Sequence, residues 1–280
     1  MITLQNDNTI CRIDPHGGEM RALTVSGKDL LWSGDPDVFA GVAPVLFPFC
    51  GRLKDGSYRH GGAAFELPIH GFAGQSDFKV TERRDTAVTL TLCDSTQTRA
   101  IYPFSFVFEI TYTLLERGVE IVFSVQNKSP GPLPFSLGGH YAFAAPNGVT
   151  GTRIHFDRPT DLIHTCLSPN GLLTAETKTV AQNVDVFAPD YTLCENDSYV
   201  FLHQVSRACS FEGIEIGYPD SPNLVLWTLP DAKFLCIEPW NGRPDSEDGV
   251  SDELIKKPDV IVLKAGARKR IRHTIEYKGV

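Results

Sequence analysis

The chain has 280 residues, of which 42% are hydrophobic and 21% charged, a composition typical of a folded protein with a sizeable core. It carries 26 Lys and Arg against 34 Asp and Glu, a formal net charge of −8. The most basic run, RKRIRH at residues 268–273, is short and alternates like a strand. Because binding to a phosphate backbone needs a basic surface, we expect no nucleic acid partner.

Targeting signals are not apparent in the sequence. The N-terminal MITLQNDNTICRID has no basic segment followed by an apolar one, so we expect no signal peptide. No apolar run reaches the roughly eighteen residues that suggest a membrane-spanning helix. The seven cysteines are scattered without a CxxC pair, which argues against a zinc site and a disulfide framework. We interpret them as small buried side chains in a reducing cytoplasm.

Alternation of apolar and polar residues predicts strands along most of the chain. The first clear example is AVTLTLC at residues 87–93, and two longer runs follow at 106–114 and 119–125. Glu116-Arg117-Gly118 joins those two runs as a hairpin turn. VIVL at 260–263, a turn at 264–266 and an alternating run to Tyr277 repeat the pattern at the C-terminus.

These patterns predict an all-β protein built as a large antiparallel sandwich or barrel. The 24 Gly and 19 Pro punctuate short strands, and helical periodicity is almost absent. Only SEDGVSDELIKK, residues 246–257, has a pattern that fits a short helix. With no linker or charge run to divide the chain, we expect one domain over residues 1–280.

Four polar residues interrupt apolar segments in a similar way. They are Arg52 in LFPFCGRLKDG, His70 in LPIHGFAG, His140 in LPFSLGGHYAF and Glu238 in FLCIEPWNGRPD. Taken singly, they fit two hydrogen-bonded core histidines and a structural ion pair. Taken together, two histidines and a carboxylate form an acid–base set. A two-histidine, one-carboxylate metal site is a further alternative, but the usual local spacing of its ligands is missing.

The same segments resemble, in order, the motifs of the aldose 1-epimerase (galactose mutarotase-like) family, especially its shorter bacterial LacX-type branch. The resemblance runs from GGEMRAL, residues 17–23, to the final strand. It implies a β-supersandwich with an open sugar cleft on one sheet face and neither a cofactor nor a catalytic metal. The implied partner is a small-molecule aldose, with no membrane partner, in a cytoplasmic protein that is a monomer or a homodimer.

The resemblance also implies roles for individual residues. Glu238 matches the general base, and His140 matches the acid that serves the ring oxygen. His70 matches a second histidine that holds and polarises the sugar, and Arg52 matches a substrate-binding arginine. Aromatic residues to stack on the sugar would come from Trp240, Phe72 and Trp227.

Two positions depart from the motifs of the family. Gly74 stands where the family often has arginine in HGFAR, which argues against an anionic or phosphorylated sugar. Tyr141 replaces the proline of GGHPAF, and we expect it to narrow the cleft or to donate a hydrogen bond to the sugar.

The implied reaction is interconversion of the α and β anomers of a free hexose. The base removes the anomeric proton while the acid protonates the ring oxygen, and the open aldehyde rotates about C1–C2 before it closes again. A base and an acid on opposite sides of the ring suffice. The alternatives are the same isomerisation of a hexose 6-phosphate, through Arg52, Lys54 or Arg243, and a non-catalytic sugar-binding or sensor protein.

Overall fold

The computed structural model describes residues 1–189, 198–249 and 251–279. Their secondary structure is almost wholly β, which confirms the predicted fold class. The strands in the first half of the chain are β1 (Ile2–Gln5), β2 (Thr9–Asp14), β3 (Glu19–Val25), β4 (Lys28–Asp29), β5 (Val45–Leu46), β6 (Ser57–His60), β7 (Ala63–Glu66), β8 (Lys79–Arg84), β9 (Ala87–Cys93), β10 (Phe106–Leu115), β11 (Gly118–Asn127), β12 (Leu133–Phe135), β13 (Gly138–Gly139) and β14 (Tyr141–Ala144).

The second half of the chain contributes the longest strands. They and their shorter neighbours are β15 (Ile154–Leu167), β16 (Leu173–Phe187), β17 (Ser198–Phe201), β18 (Ala208–Phe211), β19 (Ile214–Gly217), β20 (Asn223–Trp227), β21 (Phe234–Trp240), β22 (Ile261–Leu263) and β23 (Arg268–Tyr277). Residues 260–277 therefore form two strands, as the alternation predicts.

The predicted central hairpin is confirmed. β10 and β11 pair antiparallel from Phe106 opposite Asn127 to Leu115 opposite Gly118. Along β10, buried and half-buried residues alternate, because successive side chains of a strand point to opposite faces.

One large antiparallel sheet organises the fold. Thirteen of its strands run in the order β5-β13-β21-β20-β17-β15-β18-β19-β23-β11-β10-β9-β8, while β14 pairs with β21 and β16 with β15. A four-stranded sheet, β1 to β4, packs against it, since Leu4 and Ile13 share one buried cluster with Phe108 and Ile110.

Strand β21 is buried along its whole length because both of its faces are covered. Leu235 and Ile237 belong to the main core cluster, whereas Cys236 belongs to a smaller cluster on the other face. Glu238 and Trp240 alternate with the core residues and therefore share the face of Cys236.

Two local predictions differ from the structure. Residues 246–257 do not form the predicted helix; the described part contains only a 3-10 turn at Leu254–Lys256. An α-helix forms instead at Thr96–Ile101, where Ser95 and Thr98 make a reciprocal capping box at its first turn. Ser95 and Thr98 have the three-residue spacing of such a cap in the sequence.

The cysteines only partly match their prediction. Cys11, Cys50, Cys93, Cys209 and Cys236 are free thiols, and of the six described cysteines all but Cys93 are buried. Cys194 lies outside the described residues.

The organisation of residues 1–280 as a single domain stays a prediction.

Candidate active site

A cavity of about 270 Å³ opens on the face of the large sheet that carries Glu238. Six of the eight residues predicted for the site line it. They are Arg52, His70, His140, Trp227, Glu238 and Trp240. Apolar residues, among them Val200 and Val225, and the hydroxyl-bearing Ser198 complete its lining. The size and the mixed lining suit a small polar ligand.

Glu238 lies in the middle of β21, opposite Val225 of β20. Its residue is only 1% exposed although it carries a carboxylate. Burial of a carboxylate is costly unless other groups stabilise its charge. The strand register, which directs Glu238 away from the core, is what brings this carboxylate to the cavity.

His140 directly precedes β14 and faces Glu238. Its Nε2 is 3.4 Å from Oε1 of Glu238. Phe39 stacks on the imidazole at 5.6 Å between ring centroids, and Trp227 contacts it edge-on at 5.7 Å. Burial lowers the pKa of His140 to about 4, whereas a carboxylate this close favours the charged imidazolium.

The base and the acid were expected on opposite sides of the sugar ring, but the structure places their side chains next to each other. This arrangement is chemically workable. The anomeric oxygen and the ring oxygen of a pyranose are both bonded to C1, so a neighbouring base and acid can reach both. We call the surface formed by Glu238 and His140 the reaction wall.

His70 is held in an unusual backbone conformation. Its φ is +64°, and the following Gly71 has φ +75°. A Cβ on Gly71 would lie 2.3 Å from the carbonyl oxygen of Phe47, so only glycine fits there. The backbone N–H of Gly51 donates to Nδ1 of His70 at 3.1 Å, and the N–H of His70 donates to the carbonyl of Gly51 at 3.0 Å.

These bonds direct the ring of His70 into the cavity, edge-on to His140 and Trp240 at 5.7 and 5.6 Å. Burial, with smaller contributions from His140 and Arg52, lowers the pKa of His70 to about 3. Because Nδ1 accepts a hydrogen bond, the neutral ring carries its proton on Nε2, which is free to act as a donor.

Arg52 lies on the loop that follows Gly51 and is exposed. Gly171 lies against it, since a Cβ there would be 2.8 Å from Nε of Arg52. Among the residues that line the cavity, Arg52 is the one permanent cation. We call the surface formed by Arg52 and His70 the binding wall.

Two tryptophans provide flat apolar surfaces. Trp240 is 4% exposed, and its Nε1 has no hydrogen-bond partner within the described part of the chain. A buried donor left without a partner is uncommon and is expected where a ligand binds. Gly138 makes room for this ring, because a Cβ there would be 2.5 Å from Cδ1 of Trp240.

Phe72 and Tyr141 do not line the cavity. Phe72 packs into the core against Phe47, Tyr102 and Phe106. Tyr141 follows His140 in the chain but points to the opposite face, where its hydroxyl is 2.8 Å from Nδ1 of His273. The structure therefore gives no support to their expected contacts with sugar.

Sequence reasoning missed Phe39, Gly171 and Cys236. Phe39 covers the imidazole of His140 from about a hundred positions away in the sequence, and no local pattern marks that contact. Cys236 could have been noticed, because it stands two residues before Glu238 on the same strand face.

His140, Cys236 and Glu238 are also the one group of metal-type donors found in the described residues, with ligand atoms within 4.8 Å of one another. The thiol is a poor ligand as it stands, because burial raises the pKa of Cys236 well above its usual value and thiolate is the ligating form. His70, the second histidine of the metal alternative, is not part of this group.

Comparison with known proteins identifies the family. The family model described as "Aldose 1-epimerase" matches residues 1–247. The chain belongs to the aldose 1-epimerase family. A LacX protein from a plasmid of Lactococcus lactis subsp. lactis is 28% identical, over 92% of this chain and 93% of its own. The chromosomal LacX of the same organism is 27% identical with the same coverage.

Solved structures agree with this assignment. A galactose mutarotase related enzyme from Lactobacillus acidophilus aligns with a TM-score of 0.90 and 26% identity, covering 99% of this chain and 96% of its own. A galactose 1-epimerase from Lactobacillus acidophilus NCFM, at 15% identity, TM-score 0.73 and coverage of 99% and 94%, supports the fold alone. The fold is the galactose mutarotase-like β-supersandwich, as expected.

As a member of this family, the protein belongs to the class of carbohydrate epimerases. The family implies a sugar as its substrate. Among the described residues, no helix has the length and apolar character needed to cross a membrane.

The other cations considered for a phosphate are not part of the cavity lining. Nζ of Lys54 donates to the carbonyl of Glu247, and Nε of Arg243 is 3.7 Å from Oδ2 of Asp259. Gly74 packs near the backbone of Val45 and is likewise not part of the lining. Arg52 is therefore the one cation in the described lining of the cavity that a bound sugar phosphate would contact.

Proposed function

We propose that the protein is an aldose 1-epimerase that interconverts the α and β anomers of a free hexose by acid–base ring opening and reclosure. The observation that carries this proposal is the contact of 3.4 Å between Nε2 of His140 and Oε1 of Glu238, buried at the base of a sugar-sized cavity.

The proton balance of the reaction fits this pair. In the reactive form, His140 is the imidazolium and Glu238 the carboxylate. Glu238 takes the proton of the anomeric hydroxyl while His140 gives its proton to the ring oxygen, so the C1–ring oxygen bond breaks and C1 becomes an aldehyde. The pair holds one proton before and after the step. Rotation about C1–C2 and the reverse transfers then produce the other anomer.

The binding wall supplies orientation. His70 and Arg52 offer hydrogen-bond donors to sugar hydroxyls, and Trp240 and Trp227 offer aromatic faces to the ring. The scarcity of cations favours a neutral sugar over a sugar phosphate. A monomer or homodimer in the cytoplasm, acting without a cofactor, remains our expectation.

The test follows the anomers directly. Saturation-transfer NMR or polarimetry, in weak buffer because mutarotation also occurs spontaneously, measures the rate for glucose, galactose and glucose 6-phosphate. We expect acceleration with at least one free hexose and a smaller effect with the phosphate. A faster reaction with the phosphate contradicts the substrate class. Sugar-dependent thermal stabilisation with no acceleration on any common aldose contradicts catalysis and supports a sensor.

A further inference from the structure

A buried ion pair lies behind the binding wall. Nζ of Lys257 is 2.6 Å from Oδ2 of Asp245, and the two side chains are 3% and 2% exposed. Such a pair is a weak source of stability, because the cost of removing both charges from water offsets most of their attraction. Its importance lies instead in the backbone segments that Asp245 holds in place.

Asp245 makes two hydrogen bonds to the loop that contains Arg52. Its backbone N–H donates to the carbonyl of Arg52 at 2.9 Å, and its Oδ2 accepts the N–H of Lys54 at 3.0 Å. The two bonds lie on either side of Leu53. The carboxylate that pairs with Lys257 thus fixes the backbone immediately after Arg52.

Asp245 also holds the turn that contains Gly171, which lies against the Arg52 side chain. Its carbonyl accepts the N–H of Leu173 at 2.8 Å, at the end of the turn that brings Gly171 against Nε of Arg52. Pro244, the preceding residue, packs on Gly51, where a Cβ would be 2.6 Å from its ring. Gly51 in turn makes both hydrogen bonds to His70.

We propose, on the basis of the proposed function, that Asp245 and Lys257 are positioning residues that hold Arg52 and His70 in the geometry needed to bind the sugar. The reaction wall is held differently, by the pairing of β21 with β20 and β14. Loosening the ion pair therefore weakens sugar binding and leaves the proton-transfer step nearly unchanged.

The first experiment compares Lys257→Met with the wild-type full-length chain. We expect KM, and the sugar dissociation constant from calorimetry, to rise about tenfold, the change that corresponds to the loss of about one hydrogen bond to the sugar. We expect kcat to stay within about threefold, as for loss of a binding contact. An unchanged KM overturns the proposal.

His273→Phe is the control for general destabilisation. His273 is buried on the opposite face of β14, and its loss lowers the melting temperature without touching the binding wall. We expect its KM to be that of the wild type. An equal rise of KM in both variants overturns the positioning role. If Lys257→Met does not fold, the double variant Asp245→Asn/Lys257→Met, which contains no unpaired buried charge, takes its place with the same expectation.

A double-mutant cycle tests whether the pair acts through Arg52. Arg52→Ala and Lys257→Met should each weaken binding, and the loss in the double variant should be clearly smaller than the sum of the two single losses, because only the part transmitted through His70 persists once Arg52 is removed. Additive losses overturn the proposal. Calorimetry gives this result even without turnover, so a failure of the proposed reaction is recognised separately from a failure of the positioning role.

Discussion

The buried histidines His140 and His273 lie on opposite sides of β14, and their hydrogen bonding differs. His140 faces the cavity, and its Nδ1 has no hydrogen-bond partner in another residue of the described chain. His273 contacts Tyr141, the residue after His140. The two ring nitrogens of His273 lie 2.8 and 2.9 Å from the hydroxyls of Tyr141 and Ser221. Completely hydrogen-bonded buried groups stabilise a fold, whereas incompletely bonded ones are available to a ligand.

The hydrogen bonds around His273 define its tautomer. Ser221 donates to Oδ1 of Asn241 at 2.7 Å, so its hydroxyl accepts from Nε2 of His273. Nδ1 then accepts from the hydroxyl of Tyr141. Both ring nitrogens of His273 are therefore occupied by hydrogen bonds within the fold, and neither is left for a substrate. The comparison predicts that changes near His140 affect the reaction and that changes near His273 affect stability.

The largest effect is expected for Glu238→Gln. The amide keeps the shape of the side chain but cannot accept the anomeric proton, so the rate should fall on the order of 10²-fold or more. Saturation-transfer NMR measures the rate, and circular dichroism checks the fold. A variant with wild-type activity would show that another residue is the base.

His140→Asn and His70→Asn should separate the two walls of the site. We expect His140→Asn to lower kcat on the order of 10²-fold with little change in sugar affinity, because it removes the acid. His70→Asn should weaken binding at least as much as it slows turnover, because in the proposed function His70 also contacts the bound sugar before it reacts. Full kinetic curves with separate calorimetry make the comparison, and equal profiles would contradict the division of roles.

On the other face, Tyr141→Phe should cost about 1–3 kcal/mol of unfolding free energy, because Nδ1 of His273 loses its donor. Turnover and KM should remain those of the wild type. Chemical denaturation and kinetics measure the two quantities. Weaker sugar binding in this variant would restore the substrate contact that the sequence led us to expect of Tyr141.

The last prediction concerns the pH dependence of stability, where the effect per pH unit is small. Burial lowers the pKa of His273 to about 3 from an ordinary value of 6.5. Between these values the unfolded chain binds a proton that the folded chain does not, so stability falls as pH decreases through this window. His273→Phe should remove a slope of about 1.4 kcal/mol per pH unit. Denaturation curves from pH 7 to pH 5 test this, and an unchanged slope would contradict a neutral buried His273.

The sequence predicted the strands well because alternation is a local property. The hairpin of β10 and β11 and the final strands lie where the pattern places them. Arg52, His70, His140 and Glu238 entered through motif resemblance, and their meeting in one cavity required the fold. Periodicity alone left them as four separate residues.

What escaped prediction depends on register and on distant contacts. His140 and Tyr141 are neighbours, and only the pairing of Tyr141 with Ile237 decides which of them faces the cavity. Phe72 follows Gly71, whose φ of +75° breaks the strand alternation, and the side chain of Phe72 lies in the core. The bond between Lys257 and Asp245 joins segments whose approach no spacing rule describes.

The alternation of β21 restricts how this protein can evolve. Substitutions on one face of the strand change the core, and substitutions on the other change the lining of the cavity, so the two can vary independently. Insertion or deletion of one residue within Phe234–Trp240 exchanges the faces, which turns Ile237 toward the sugar and Glu238 into the apolar core. Within this strand, the lining of the cavity can therefore diversify by point changes but not by changes of length.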